Sequence, residues 1–162
     1  MTKPLHIIER TETLMQNPCM ENLYRMTMGH GDAIAAQWLE NGQERSMTYS
    51  QLDQTARRCG SYLKQKLQEV PQGSFVAIAM DTCVTWVPAF WGVIMSGYNA
   101  LLLDANLNPD MTAYMLEQGG ATAIICEKER PLPAHVIQVT KGELEASPAG
   151  DLKPVFGNMV AL

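Results

Sequence analysis

Residues 75–104 read FVAIAMDTCVTWVPAFWGVIMSGYNALLLD, and this stretch decides the fold. Phe75 to Met80 is continuously apolar, as suits a strand covered on both faces. Cys83 to Ser96 is apolar nearly all round, which reads as a buried helix, and Gly97 is a natural residue to stop it. Ala100 to Leu103 is a second short buried strand, ending at Asp104. Strand, helix and strand in this order, with strands so apolar, make a parallel pair joined by a crossover. Thr82 to Leu103 holds 22 residues without a charge, long enough to cross a bilayer. Pro88, Ser96, Gly97 and Asn99 interrupt it, however, so no membrane span is expected.

Outward from this unit the alternation continues. Downstream, Pro109-Asp110 opens a helix through Tyr114, Met115 and Leu116 that Gly119-Gly120 closes, and Thr122 to Cys126 is the next strand. Upstream, Leu52, Ala56, Cys59, Leu63 and Leu67 recur at intervals of 4, 3, 4 and 4, one face of an amphipathic helix. Thr48 and Gln51 form a capping box at its start, and Pro71-Gln72-Gly73 ends it. Before that, Ala33 to Glu40 and Gln43 to Met47 flank Asn41-Gly42, a strong type I′ hairpin signal.

The fold class is therefore α/β, a mostly parallel sheet with flanking helices, entered through an antiparallel hairpin. The expected organisation is a single domain over 1–162. Residues 1–30 form an N-terminal extension and helix, 31–126 the α/β core, and 127–162 connections and a final strand. Within that last part Pro131, Pro133, Pro148, Gly142 and Gly150 indicate loops around one strand, Val136 to Val139. The apolar run Met159 to Leu162 reads as the final strand.

Composition narrows the function classes. The net charge of −5 argues against a general nucleic-acid binder, which needs a basic face for phosphates. The four cysteines, Cys19, Cys59, Cys83 and Cys126, form no CxxC pair and are read as buried free thiols. Met1 to Arg10 has no apolar run long enough for a secretory signal, and with reduced thiols this points to the cytoplasm. The eleven methionines are read mostly as core filler, and Trp86 and Trp91 fall within the buried helix.

A parallel sheet binds ligands at the carboxyl ends of its strands, yet the sequence carries no G-x-G-x-x-G and no G-x-x-x-x-G-K-[ST] phosphate loop. His6, His30 and His135 are isolated and make no metal pair, and His30 reads as a turn residue between Gly29 and Gly31. Asp104, just past a buried strand, reads first as an anchor for the 106–110 loop and second as a catalytic carboxylate. No catalytic, cofactor-binding or metal-binding residue is assigned.

Met47-Thr48-Tyr49-Ser50-Gln51-Leu52 resembles the Leu-Thr-Tyr-x-Glu-Leu opening of the adenylate-forming (AMP-binding) superfamily of acyl-CoA synthetases, adenylation domains and luciferases. Val93-Ile94-Met95-Ser96-Gly97 through Leu101-Leu102-Leu103-Asp104 is similar to that family's Leu-Lys-Ala-Gly-x-x-Tyr-x-Pro-Leu-Asp, with the same seven-residue step from Gly97 to Asp104. Leu107-Asn108-Pro109, Ala113 to Leu116 and Gly120-Ala121 match the helix and turn that follow. The departures are Met95, Ser96, Ala100 and Leu102, where the family usually has Lys, Ala, Tyr and Pro. They leave strand and helix packed and suggest a divergent branch.

The resemblance implies an N-terminal subdomain of an AMP-forming ligase, one that activates a carboxylic acid with ATP and Mg²⁺ and passes the acyl group to a thiol such as CoA. The family's Ser/Thr/Gly-rich loop, later acidic and aromatic motifs and C-terminal lysine are not found here. The chain is therefore expected to stop at Leu162, one step short of the nucleotide site, and to be inactive alone. Its partners would be the rest of the parent ligase and, through exposed apolar surface or strand edges, further copies of itself. The acid remains open, because in this family the acyl pocket is lined mainly from later in the chain. Two other readings stand beside this one: a non-catalytic α/β binding or interaction module, and an unrelated, flavodoxin-like α/β domain.

Overall fold

A computed structural model describes residues 18–157, together with residues 12, 15 and 16 and the backbone of 160–161. The expected extension over 1–11, and Asn158, Met159 and Leu162 of the expected last strand, lie outside the described residues. The chain divides into two compact units, 1–52 and 53–162.

In the first unit, helix α1 (Met20–Met28) leads into strands β1 (Ile34–Glu40) and β2 (Gln43–Thr48), paired antiparallel. Asn41 and Gly42 both take positive φ, 51° and 76°, as a type I′ turn requires. Helix α2 (Tyr49–Lys66) then begins on the expected capping box. Thr48 N–H donates to Gln51 Oε1 at 2.9 Å, and Gln51 N–H donates to Thr48 Oγ1 at 3.2 Å. His30 sits in the turn after α1, its ring 5.0 Å from that of Tyr49.

The second unit carries a parallel sheet. Its strands are β3 (Phe75–Ala79), β4 (Asn99–Leu102), β5 (Ala121–Cys126), β6 (Ile137–Thr140) and, as backbone, β7 (Val160–Ala161). Their spatial order is β6-β5-β3-β4-β7, every neighbouring pair parallel. The crossovers hold helices α3 (Trp86–Met95), α4 (Pro109–Gln118) and α5 (Lys141–Ala146). Ala77, Ala79, Leu101 and Ile124 pack with Leu116 of α4 in one cluster. Val76, Ile78 and Ile125 alternate with them along the strands and are just as buried, so both faces of the sheet are covered. Each buried Val, Leu or Ile among them contributes about 1.5–3 kcal/mol by leaving water.

Helices α2 and α3 meet through glycine. A Cβ on Gly92 would lie 2.9 Å from both Cys59 Cβ and the Gly60 backbone nitrogen, so only hydrogen fits. Ser96 Oγ bridges the same contact, donating within reach of the Gly60 and Gly92 carbonyls at 2.8 and 2.6 Å. Tyr98 closes the layer, its buried hydroxyl donating to the Leu67 carbonyl at 2.8 Å.

Several sequence expectations are corrected. Helix α3 starts at Trp86 rather than Cys83. Its first ladder bond runs from Ala89 N–H to the Thr85 carbonyl, which puts Pro88 at the last position where a missing N–H costs nothing. Starting at Cys83 would carry Pro88 into the ladder. The segment after β6 also holds a helix: its prolines and glycines predict loop, yet Thr140 and Glu143 form a full capping box that starts α5. Only Cys59 and Cys126 are buried; Cys19 is exposed and Cys83 half-buried, because both sit just before helices rather than within them. The methionines are not mainly core either. Among the described residues Met80 and Met95 are buried, while Met15, Met111 and Met115 are exposed. Trp91 is buried as expected, but Trp86 is only half-buried and stacks on Phe90 at 5.7 Å, next to Val87, which is 42% exposed.

Candidate functional site

In the strand order β6-β5-β3-β4-β7 the chain leaves β3 for β4 on one side and then returns to β5 on the other. The point where the direction reverses, outside the carboxyl ends of β3 and β5, is where open α/β sheets hold ligands. The residues delivered there are Asp81 to Thr85 after β3, Glu127 after β5, and Lys141 and Glu145 of α5 after β6.

Four of these groups are engaged in pairs. Thr85 Oγ1 donates to Glu145 Oε1 at 2.6 Å, and Lys141 Nζ lies 3.6 Å from Glu127 Oε2. Burial would lower the Lys141 pKa, but Cys83, Glu127 and Glu145 around it outweigh burial and push the ammonium up. Lys141 therefore stays protonated and is a fixed positive charge rather than a base or nucleophile. Asp104, at the end of β4, accepts from Asn106 N–H at 2.8 Å and from Asn106 Nδ2 at 3.2 Å. It is the loop anchor, and its Oδ1 is already committed.

The remaining reactive side chains are quiet. Burial raises the Cys59 thiol to about 11 and raises Cys126 as well, so neither presents a thiolate near neutrality. Among the described residues no three His, Cys, Asp or Glu side chains gather closely enough to hold a metal ion. Gly119-Gly120 is a helix stop, Gly120 taking φ 63° after α4. His135 lines a separate cavity of about 480 Å³ with Tyr114, Glu117, Pro133 and Ala121, at the amino end of β5 rather than the carboxyl ends of the strands.

A second polar constellation joins α2 to α5. Glu143 Oε1 accepts from Tyr62 Oη at 2.9 Å and Lys66 Nζ at 3.1 Å, while Oε2 accepts from Thr140 N–H at 2.7 Å. Burial alone would raise the Glu143 carboxyl, but the Thr140 N–H, the Tyr62 and Thr140 hydroxyls and Lys66 hold it down at about 2. This carboxylate is a structural tie. Thr85, Lys141 and Glu145 carry no local signal in the sequence, whereas the Thr140-x-x-Glu143 spacing is one that marks the start of α5.

The model of the AMP-binding enzyme family matches residues 24–155. The chain is 30% identical over 105 residues to the 3-hydroxybenzoate–CoA/4-hydroxybenzoate–CoA ligase of Thauera aromatica, covering 65% of this chain and 19% of that one. It is 27% identical over 119 residues to bacitracin synthase 3 of Bacillus licheniformis, covering 72% of this chain and 2% of that one. The solved N-terminal subdomain of Klebsiella oxytoca NpsA, bound to 3-hydroxybenzoyl-AMSN, superimposes with a TM-score of 0.69 at 13% identity, over 85% of this chain and 35% of that one. The chain thus spans about a fifth or less of the length of these two curated relatives. Among the described residues no helix is long and apolar enough to cross a membrane. With the hairpin, the parallel sheet and a family match running from α1 to the segment after α5, the chain belongs to the AMP-binding enzyme family.

Proposed function

We propose that this chain forms the opening scaffold of a larger ligase that activates a carboxylic acid with ATP and hands the acyl group to a thiol such as CoA. The observation that carries this reading is the family match over residues 24–155 on a chain that spans only part of its relatives. In the first step the acid's carboxylate would attack the α-phosphorus of ATP, releasing pyrophosphate and leaving an acyl-adenylate. In the second the thiolate would attack the acyl carbon and release AMP.

The residues in hand do not fit a nucleotide or Mg²⁺ site. The sequence lacks a phosphate loop, Glu127, Glu145 and Asp104 at the strand ends are paired or serve as anchors, and no metal-ligand cluster forms among the described residues. No step of the reaction is therefore assigned to this chain. Its contribution is a rigid sheet on which the reacting parts of the parent enzyme are built.

Calorimetric titration of the 162-residue chain with Mg-ATP tests this directly. No binding heat is expected, and micromolar affinity would overturn the scaffold reading. The coding sequence after Leu162 supplies a second test: its next dozen codons should encode a Ser/Thr/Gly-rich loop. The same reading has the chain self-associate through exposed apolar residues such as Val87 and Leu39, which are 42% and 77% exposed. Sedimentation as a clean monomer at high concentration would count against that part.

A further inference from the structure

The Nε of Arg58 is shut off from solvent and meets no acceptor. A guanidinium never gives up its charge, so a buried N–H left without a partner is costly, and folded proteins seldom leave one so. Beside it lies a cavity of about 400 Å³ lined by Gln54, Thr55, Arg57, Arg58, Ala149 and Gly150. Its carboxylate neighbour does not serve Arg58: Asp53 is taken by Arg57, whose Nε donates to Asp53 Oδ1 at 2.9 Å.

The far wall of this cavity is held in place. Gly150 lies so close to Ser61 that a Cβ there would overlap its side chain, and Leu152, buried to 4% exposure, packs where a Cβ on Gly60 would fall. The wall therefore cannot retreat without opening the core. The cavity combines a buried unmet donor, a second guanidinium and a fixed backbone wall, and it contains no free acid.

We propose that this cavity, between α2 and the 147–150 segment, is an oxyanion site that takes a phosphate or carboxylate group against Arg58. The guanidinium is planar and carries its N–H groups in a rigid fork, so an oxyanion held in the cavity against Arg58 meets parallel charged donors. Lysine lacks this fork. The site is independent of the ligase reading, since it lies on α2 and not at the carboxyl ends of the strands.

The test is an NMR titration of the ¹⁵N-labelled chain with sodium phosphate and with sodium acetate, each against sodium chloride at matched ionic strength. The Arg58 Nε–H, Ala149 and Gly150 resonances are expected to shift saturably with phosphate or acetate, with a Kd on the order of millimolar. Which of the two anions saturates first distinguishes phosphate from carboxylate ligands. Arg58→Lys keeps the charge and should weaken binding about tenfold, because the bidentate edge is gone. Ala149→Glu places a carboxylate in the cavity and should abolish phosphate binding while keeping the native spectrum elsewhere. Shifts that are linear and equal for all three salts would mean the cavity holds only water, and the proposal falls. It falls equally if Arg58→Lys or Ala149→Glu binds phosphate as the parent does.

Discussion

The two sheets of this chain are specified in opposite ways. In the parallel sheet β3 and β5 are buried along nearly their whole length, and register is tied to which side chains enter the core. In the β1–β2 hairpin most positions on both strands are exposed, including Ile34 at 56% and Leu39 at 77%. Its register rests instead on the Asn41-Gly42 turn and on cross-strand pairs. Gln37 Nε2 donates to Glu44 Oε1 at 3.3 Å, and Arg45 lies 3.4 Å from Glu40. Such exposed pairs are individually worth less than about 1 kcal/mol. One sheet is thus held by what it hides and the other by how its chain turns.

Substitutions can break or sharpen that contrast. Gly92→Leu should be the most damaging, because its side chain meets backbone at the α2–α3 contact rather than a flexible neighbour. Urea unfolding is expected to show a loss of more than about 3 kcal/mol. Ile124→Ala, at a fully buried position of β5, should cost about 3 kcal/mol; a loss below about 1 kcal/mol would refute the account of a closely packed sheet.

Glu143→Gln should cost about 1–2 kcal/mol at neutral pH, through the capping box and the tie to Tyr62 and Lys66. The folded Glu143 carboxyl sits at about 2, below its ordinary value of 4.5, so its stabilisation is present above pH 4.5 and drains away as pH falls towards 2. The parent and variant curves should converge across that window. If they stay parallel, the carboxylate is not what stabilises α5.

The hairpin should respond to its turn and not to its apolar residues. Gly42→Val forces a β-branched residue to φ 76° and should cost about 1 kcal/mol, read as faster amide exchange in β1 and β2 with β3 and β5 unchanged. Leu39→Ser should change stability by less than about 0.5 kcal/mol. A larger loss would mean that burial, rather than the turn, sets the hairpin.

Much of the fold was legible because its signals are local. Thr48 and Gln51, Asn41-Gly42, Gly97 and the apolar run from Phe75 each act within a few residues, and each appears where expected. Helix α5 was not legible: six residues containing Gly142, followed by Pro148 and Gly150, carry too little periodicity to stand out from loop. Burial of Cys19, Cys83 and most methionines was over-read, because an apolar side chain says nothing about whether a partner reaches it. The candidate site was harder still. Asp104 could be weighed from its place after β4, but the cavity at Arg58 is walled by a segment about 90 residues away, which no local pattern records.

The strand order also has a temporal consequence. The strand that covers the outer edge of β4 is β7, the last of the described strands, whereas β3 to β6 can pair among themselves. A ribosome adding roughly 5–20 residues per second needs about 3–12 s to go from Leu102 to Val160. For that interval the nascent sheet presents Ala100 and Leu101 with their hydrogen-bonding groups unclaimed, open to a neighbouring chain. Yield on expression should therefore depend on how quickly the final strand arrives.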